Sequence, residues 1–258
     1  MQSVFIDTHA HIYLPEFKDE LKTILEEAKQ AGVGNIYMPA IDSSTHEVML
    51  QAELSYPFCK SMMGLHPCYV KENFETELAI VEKYFQERKF AAVGEIGLDF
   101  YWDKTYTEQQ YEVFHKQIAL SLQYNLPIVI HSRNATDECI EVIMQYPTAR
   151  GVLHCFSGDE KQARKIMEAG FMLGIGGVIT FKNSGLDKVV AAVGLSHLVL
   201  ETDSPYLAPV PFRGKQNKPG YTKLVAEKIA DLLKCSVEEV ATFTTANAEK
   251  LFGMGQKP

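Results

Sequence analysis

The chain has 258 residues, of which 46% are hydrophobic and 22% charged, and this ordinary globular composition excludes a wholly disordered chain, a collagen and a coiled coil. Its net charge of −8 disfavours a protein that coats long duplex DNA, because such proteins need a basic surface. The longest apolar runs are strand-sized, and the first residues show neither the basic nor the apolar region of a signal peptide. Five cysteines without a CxxC pair are typical of reduced thiols, so we expect a cytoplasmic protein.

Short apolar runs alternate with longer segments of helical periodicity along the whole chain. The predicted strands are residues 4–6, 35–40, 60–64, 91–94, 127–130, 151–154, 171–175 and 198–200. The predicted helices that follow them are residues 16–31, 45–54, 76–88, 108–123, 136–145, 159–169, 186–193 and 222–233. Strands that alternate with helices indicate parallel pairing, and eight such units predict an α/β fold of the (β/α)8 TIM barrel type.

A doubly wound open sheet is the alternative to this barrel. Such a sheet usually has fewer strands and a glycine-rich first turn, whereas the first turn here reads Asp7-Thr-His-Ala-His11. We therefore favour the barrel and expect one domain over residues 1–258. A further helix over residues 237–252 is predicted to follow the barrel, and residues 252–258 read as a frayed tail.

In a barrel of this kind the active site lies at the C-terminal ends of the strands, so we searched those positions for polar side chains. His9 and His11 follow the first strand, and residues two apart in an extended backbone point to the same face. Glu95 follows the fourth strand between glycines, where packing alone does not explain an acid. The remaining candidates are His66 after strand three, His131 after strand five, His154 after strand six and Asp203 after strand eight.

Each of these residues alone is a weak signal, because a histidine after an apolar run is more often a core residue than a ligand. Apart from His66, which joins the mouth after strand three, four histidines and two acids at the mouths of five strands nevertheless predict a metal site. Mixed nitrogen and oxygen ligands suit Zn²⁺ or Mn²⁺, and oxygen-rich sites suit Mg²⁺. Six ligands exceed one tetrahedral site, so we expect two divalent ions bridged by Glu95, which lies in strand order between the two histidine pairs.

Three other histidines have simpler interpretations. His46 and His115 fall in helical segments and are predicted to face solvent, and His197 precedes the last strand at the bottom of the barrel. Cys155 follows His154 directly and should face the opposite way if the strand continues. No cysteine is therefore predicted to be a ligand.

These residues lie in seven ordered motifs: Asp-Thr-His-Ala-His, Gly-Leu-His-Pro, Gly-Glu-Ile-Gly-Leu-Asp, Ile-His-Ser-Arg, His-Cys-Phe-Ser-Gly, Glu-Thr-Asp-Ser-Pro and Pro-Phe-Arg-Gly-Lys-x-Asn-x-Pro. The series resembles the TatD family of metal-dependent deoxyribonucleases, within the amidohydrolase superfamily of TIM-barrel hydrolases, from Asp7 to Phe252. Glu95 stands where many members of the superfamily carry a carboxylated lysine, which disfavours a dihydroorotase or a phosphotriesterase. The resemblance implies one ion held by His9, His11, Glu95 and Asp203, and a second held by Glu95, His131 and His154.

The same residues suggest the chemistry. Asp203 is placed to accept a proton from the attacking water as a general base, or it serves as a ligand only. Asp99 is expected to orient a ligand from behind rather than to bind metal. Two divalent ions would exceed the charge of Glu95 and Asp203, and this positive excess favours an anionic phosphate.

The loop of residues 204–221 is the candidate phosphate-binding segment. It contains Arg213, Lys215 and Lys218 and no acid, and four prolines stiffen it. The planar fork of Arg213 suits phosphate, with Lys215 or Lys218 as the alternative. Further donors are expected from His66, Arg133, Ser157 and Asn217.

Tyr101, Trp102 and Tyr206 fall in mouth loops, where they either stack on a base or pack as an ordinary lid. We expect a phosphodiesterase acting on DNA ends or single strands, and the resemblance implies 3′-to-5′ exonuclease activity. The alternative is an acyl or amide hydrolase such as an aminoacyl-tRNA deacylase. A third reading is a metal-dependent scaffold without catalysis.

Overall fold

The computed structural model describes residues 5–253, so Val4 of the predicted first strand and the tail from Met254 lie outside the described residues. Within them, eight strands alternate with helices. The strands are β1 (Phe5–Asp7), β2 (Val33–Met38), β3 (Cys59–Ser61), β4 (Val93–Asp99), β5 (Ile128–Arg133), β6 (Gly151–Leu153), β7 (Met172–Ile175) and β8 (Leu198–Leu200). The helices are α1 (Leu21–Gln30), α2 (Ser43–Ser55), α3 (Phe74–Glu87), α4 (Thr107–Tyr124), α5 (Thr136–Ile143), α6 (Glu160–Glu168), α7 (Leu186–Val193), α8 (Thr222–Leu233) and α9 (Val237–Phe252).

Most predicted boundaries agree with this structure, and β8, α7, α8 and α9 have the predicted bounds. The first helix starts later than predicted, because Pro15–Phe17 forms a separate 3-10 turn. β4 and β5 run further than predicted, to Asp99 and Arg133, because their backbones remain paired to that point. Glu95 and His131 consequently lie inside strands rather than after them.

All strand pairs are parallel, in the orders β1-β2-β3 and β4-β5-β6-β7-β8. Isolated bridges join the edges of these two sheets, between Met63 and Val93 at one seam and between Ala10 and Ser204 at the other. The amide of Thr8 also donates to the carbonyl of Leu200 at 2.9 Å. The chain therefore has the predicted (β/α)8 barrel fold, with short connections at two seams.

A layer of buried side chains fills the lower part of the barrel. Every strand, or a residue beside it, contributes one member: Ile6, Tyr37, Met62, Ala92, Val129, Val152, Met172 and Val199. Ala248 and Leu251 of α9 pack against this layer, and Phe252 stacks on Tyr37 with ring centroids 3.9 Å apart. The extra helix thus covers the end of the barrel opposite the strand C-termini.

The loops that return the chain to the helices carry their own start signals. Asp42 opens α2 and Asp159 opens α6, each accepting a backbone N–H while the N3 side chain contacts the cap residue.

Along residues 5–253 no helix is both long and apolar enough to span a membrane. All five cysteines are free thiols.

Gly97 marks the closest approach of β4 to β5. Its φ is +133°, and a Cβ at this position would lie 2.1 Å from the carbonyl oxygen of its register partner His131. Only glycine combines a positive φ with room for this close approach. Gly97 therefore lets β4 pair with β5 at His131, which is a candidate metal ligand.

Gly97→Ala is expected to lower the free energy of unfolding by more than Gly170→Ala, measured by urea denaturation. Gly170 also has a positive φ, of 81°, but a Cβ there meets nothing within 4 Å. The control therefore carries only the conformational cost of about 1–2 kcal/mol, whereas Gly97→Ala adds a backbone clash. Equal losses in the two variants would contradict the close approach.

Candidate metal centre

The carboxylate of Glu95 lies at the floor of the barrel mouth. The β4–β5 register shifts between Gly94 and Ile96, so Glu95 stands at an irregularity of the ladder. Its amide instead donates to the carbonyl of Ala40 on the other side, at 3.2 Å. Such irregularities re-aim a side chain next to a site, and here the Glu95 side chain is 2% exposed and directed into the barrel.

Five imidazoles surround this one carboxylate. The distances to the nearest Glu95 oxygen are 3.2 Å from His9 Nε2, 3.6 Å from His11 Nε2, 3.2 Å from His66 Nε2, 2.9 Å from His131 Nδ1 and 3.0 Å from His154 Nε2. Burial alone would raise the pKa of Glu95, but the imidazoles outweigh it and hold that pKa well below its usual range. Glu95 is therefore an anion, and it is the point at which β1, β4, β5, β6 and the segment after β3 converge.

The neighbours of His11 determine which of its nitrogens is free. The Tyr13 hydroxyl donates to the Pro39 carbonyl at 2.6 Å, so towards His11 Nδ1, 3.1 Å away, it acts as an acceptor. His11 Nδ1 must then carry the proton. The lone pair of His11 is left on Nε2, which faces Glu95 and is available to a cation.

His66 has the opposite arrangement. Its Nδ1 accepts the backbone N–H of Cys68 at 3.1 Å, so the ring proton lies on Nε2. Burial lowers the pKa of His66, which favours the neutral ring. The Nε2–H of His66 consequently points at Glu95 Oε1, 3.2 Å away, so His66 donates to this carboxylate and offers no lone pair to a metal there.

His131 and His154 each lie between two carboxylates. His131 Nε2 is 2.8 Å from Asp99 Oδ2, and His154 Nδ1 is 3.5 Å from Glu201 Oε1. Burial would lower both pKa values, but the flanking carboxylates outweigh it and raise them. Carboxylates behind histidines are the usual means of orienting metal ligands and increasing their basicity.

His9 shares the carboxylate behind His154. The rings of His9 and His154 are stacked, with centroids 3.7 Å apart, and their ligand atoms fall within 4.8 Å of a Glu201 oxygen. Burial lowers the pKa of His9 to about 4, so the ring is neutral near pH 7. His9 Nδ1 and Glu201 Oε2 are buried and make no hydrogen bond within residues 5–253. Glu201 thus lies beside both rings, with its Oε1 3.5 Å from His154 Nδ1, and no hydrogen bond joins it to His9 among the described residues.

Asp203 completes the cluster from β8. Its Oδ1 lies 3.8 Å from His9 Nε2 and 3.7 Å from His11 Nε2, and its side chain is 15% exposed towards the mouth. Burial raises the pKa of Asp203 to about 7, and the charges of Glu95 and Glu201 add to this while His154 opposes it. Its carboxyl therefore titrates close to neutral pH.

The donor set fits divalent cations. Four groups among the described residues have ligand atoms that all lie within 4.8 Å of one another, and two of them contain Glu95: His9 with His11 and Glu95, and Glu95 with His131 and His154. His9 Nε2 and His11 Nε2 are 3.3 Å apart and aim at the same carboxylate. Buried imidazole lone pairs that converge beside a carboxylate are the ligands that Zn²⁺ and Mn²⁺ prefer.

The cavity above this cluster measures about 1350 Å³ and contains most of the predicted phosphate contacts. Its lining includes His66, Arg133, Ser157, Arg213 and Lys215. The Arg213 guanidinium lies 3.7 Å from the centroid of the Phe181 ring. Arg133, Arg213 and Lys215 form no ion pair within the described chain. These three cations at the rim are therefore free for an anionic ligand.

Two predicted phosphate contacts are corrected. Asn217 is fully buried, its amide donates to the carbonyls of Thr202 and Tyr206, and its oxygen accepts from the backbone of Lys218. It therefore braces the loop and has no donor left for a phosphate. Lys218 is an alternative to Arg213. Its Nζ forms an ion pair with Glu27 Oε2 at 3.0 Å, and Lys218 does not line the cavity.

Three predictions about single residues also change. His46 is 1% exposed rather than solvent-facing, because α2 turns it edge-on against Tyr84 of α3. His115 is half-buried, with Nδ1 2.7 Å from the Tyr146 hydroxyl. Cys155 lines the cavity instead of facing away, because β6 ends at Leu153 and strand alternation no longer applies. His197 lies before β8, outside the cavity, as predicted.

The sequence reasoning missed Glu201 and Tyr13. Glu201 immediately follows β8 and is fully buried, so it is nearer to the strand end than Asp203, and this position could have identified it. Tyr13 lies two residues after His11 and continues the same alternation. Asp7 was also missed. Its carboxylate accepts the backbone N–H and the hydroxyl of Thr202, and these bonds join β1 to the end of β8 beneath the cluster.

Glu201→Gln is expected to weaken binding of Mn²⁺ or Zn²⁺ by about tenfold to a hundredfold, because His154 loses the carboxylate that orients it. Isothermal titration calorimetry measures this. The matched control is Glu77→Gln, a buried, hydrogen-bonded carboxylate on α3 that accepts from the amide and hydroxyl of Ser43. Unchanged affinity in Glu201→Gln would contradict the orienting role.

The chain is similar to known proteins along nearly its whole length. The model of the family described as TatD related DNase matches residues 6–253. The uncharacterized metal-dependent hydrolase YabD of Bacillus subtilis is 39% identical over 252 residues, covering 96% of this chain and 99% of that protein. The crystal structure of YjjV, a TatD homolog from Escherichia coli, superposes with a TM-score of 0.93 at 32% identity, covering 98% of this chain and 100% of that one. A TatD family hydrolase from Entamoeba histolytica, 20% identical, shares the fold with a TM-score of 0.82, covering 97% of this chain and 98% of that one. The chain belongs to the TatD family of metal-dependent hydrolases.

Proposed function

We propose that this protein is a divalent-metal-dependent deoxyribonuclease that removes nucleotides from DNA ends or single strands, in the 3′-to-5′ direction. The observation that carries the proposal is a metal-ligand cluster at the floor of a cavity whose rim holds unpaired cations. The cluster suits hydrolysis, and the rim suits a phosphate backbone. A cytoplasmic location belongs to the same proposal and is supported by five free thiols.

The ligand groups divide into two sets that meet at Glu95. His9, His11, Glu95 and Asp203 would hold one cation, and Glu95, His131 and His154 would hold a second. When bound, such cations polarise a phosphodiester and lower the pKa of the attacking water. Zn²⁺, Mn²⁺ and Mg²⁺ are all candidates, with the four imidazoles favouring the first two.

Asp203 is the proposed proton acceptor. A general base must lie within reach of the proton that it accepts, and the Asp203 carboxylate borders the cavity beside the proposed ligands. Asp203 is also the most exposed carboxylate of the cluster, so a substrate in the cavity can reach it. Glu95, which is 2% exposed and enclosed by imidazoles, serves as a ligand instead.

The substrate phosphate is held by groups on the rim. Arg213 and Arg133 offer planar forks, Lys215 offers a point charge, and Ser157 offers a hydroxyl. His66 also lines the cavity, but its Nε2–H faces Glu95 Oε1 at 3.2 Å, so it supports that carboxylate rather than the phosphate. The rim donors orient the phosphodiester over the cluster.

The shape and charge of the molecule favour a DNA end over the interior of a duplex. The reacting groups lie at the base of a cavity of about 1350 Å³, where a single strand can enter. The net charge of −8 leaves no extended basic surface for a long duplex. The attraction for phosphate is therefore local to the rim.

The proposal is tested with metal-loaded protein and labelled substrates: single-stranded DNA, duplex DNA with 3′ or 5′ overhangs, RNA and aminoacyl-tRNA. Stepwise shortening of DNA from the 3′ end is expected, and Glu95→Gln should abolish it. Deacylation of aminoacyl-tRNA with no cleavage of DNA would replace the proposal by the acyl hydrolase alternative. No turnover of any substrate, despite bound metal, would favour the scaffold.

Arg213→Ala is expected to reduce kcat/KM for single-stranded DNA by about 1.5–3 kcal/mol of transition-state stabilisation, because a charged hydrogen bond to phosphate is lost. Arg213→Lys keeps the charge without the fork and should give an intermediate loss. Metal content should not change in either variant, because Arg213 is no ligand.

Lys218→Ala is the control for this change. Lys218 is a cation of the same loop, but it pairs with Glu27 outside the cavity, so the variant should retain near-normal kcat/KM. Normal turnover in Arg213→Ala together with a severe loss in Lys215→Ala would transfer the phosphate contact to Lys215.

A further inference from the structure

An exposed aromatic pair lies at the cavity mouth on the loop after β4. Trp102, the one tryptophan of the chain, lines the cavity and is 67% exposed, and the adjacent Tyr101 is 53% exposed. Their rings meet edge to face with centroids 4.9 Å apart. Rings this exposed contribute little to folding, so a lid-packing role does not account for them.

Arg133, at the end of β5, joins the pair to the rim cations. Its guanidinium carbon lies 4.3 Å from the centroid of the Tyr101 ring and 5.5 Å from that of Trp102. Arg133 is exposed and forms no ion pair in the part of the chain that the structure describes. One surface therefore combines aromatic faces with a free planar cation, which are the two components that hold an unpaired base and its phosphate.

A single carboxylate holds this surface beside the metal cluster. Asp99 Oδ1 accepts the backbone N–H groups of Tyr101 at 2.9 Å and Trp102 at 3.0 Å. Its other oxygen lies 2.8 Å from His131 Nε2. The loop that carries the rings and the ring of a candidate metal ligand are thus fixed by the same side chain.

The rest of the loop is also held in place. The buried side chain of Gln110 accepts the amide of Asp99 at 2.9 Å and donates to its carbonyl at 3.2 Å. Asp103, one residue after Trp102, pairs with Lys71 at 2.6 Å. The aromatic pair therefore projects from an anchored segment.

We propose that Tyr101 and Trp102, together with Arg133, form a stacking platform for the unpaired nucleobase that adjoins the phosphodiester in the cavity. The inference rests on the proposed function and deepens it, because a platform for a splayed base selects single-stranded over paired DNA. Stacking on a π-face tolerates every base, so the platform confers strand selectivity without sequence selectivity.

The fluorescence of Trp102 reports occupancy of the platform without any hydrolysis. The wild-type protein in EDTA is titrated with oligothymidylate and with an abasic tetrahydrofuran oligomer of equal length. Saturable quenching by oligothymidylate and little change with the abasic strand are expected. Equal responses to both strands would show that only the phosphates are bound, and would overturn the platform.

Variants give the second readout. With fluorescently labelled DNA, Trp102→Ala should raise the dissociation constant for oligothymidylate about tenfold and leave that for the abasic strand unchanged, while Trp102→Phe should restore most of the affinity. The matched control is Phe243→Ala, another exposed aromatic residue, on the helix at the opposite end of the barrel. Wild-type affinity in Trp102→Ala would overturn the proposal.

The two proposals fail in distinguishable ways. Normal DNA cleavage with a Trp102→Ala variant equal to wild type on both strands would remove the platform and leave the nuclease. Base-dependent quenching without cleavage of DNA under any metal would support the platform and remove the nuclease. Neither quenching nor cleavage would remove both.

Discussion

The structure depends on one buried interaction, the contact of the Glu95 carboxylate with five imidazoles. An anion at this depth is tolerated only where its surroundings compensate for lost hydration, and the surrounding rings do so from several different strands. Four of the five rings have a contact on their far side: His11 with Tyr13, His66 with the Cys68 amide, His131 with Asp99, and His154 with Glu201. Two features of β4 serve this cluster. The irregularity of the ladder directs the side chain of Glu95 into it, and the close approach at Gly97 lets the backbone of His131 pair beside it.

The electrostatics of the cluster differ from what the sequence suggests. Counting only Glu95 and Asp203 leaves two divalent ions with a positive excess that would attract phosphate. Asp99 and Glu201 also contact candidate ligand histidines, so four carboxylates would offset the charge of the two proposed ions and no positive excess would remain. The attraction for an anionic substrate then falls to the rim, where Arg133, Arg213 and Lys215 are unpaired among the described residues. In the proposed function the floor of the cavity would provide the chemistry, and the rim would provide the charge that selects the substrate.

The fold and the cluster were predictable because they follow from local patterns. Alternating strand and helix periods predict the barrel, and a polar residue at a strand C-terminus points to the mouth whatever its partners are. The errors concern residues whose roles depend on distant contacts. Asn217 reads as a donor on a polar loop, and only its contacts with the Thr202 and Tyr206 carbonyls show that its amide is consumed. His46 reads as a surface residue of α2, and only the packing against α3 buries it. Glu201 differs from these, because its position directly after β8 is a sequence signal, and only its place beside His154 needs the structure.

The loops at the mouth are tied to the ligand cluster that the strands set. On the loop after β8, Asn217 donates to the carbonyl of Thr202, next to Asp203. On the loop after β4, Asp99 accepts the backbone N–H of Trp102 and contacts His131. A change in the loop after β4 therefore reaches the ring orientation of His131, and a change at His131 reaches the aromatic pair. If a base binds at the mouth as proposed, Asp99 would couple that binding to the geometry of the cluster, because its two oxygens contact the loop backbone and His131.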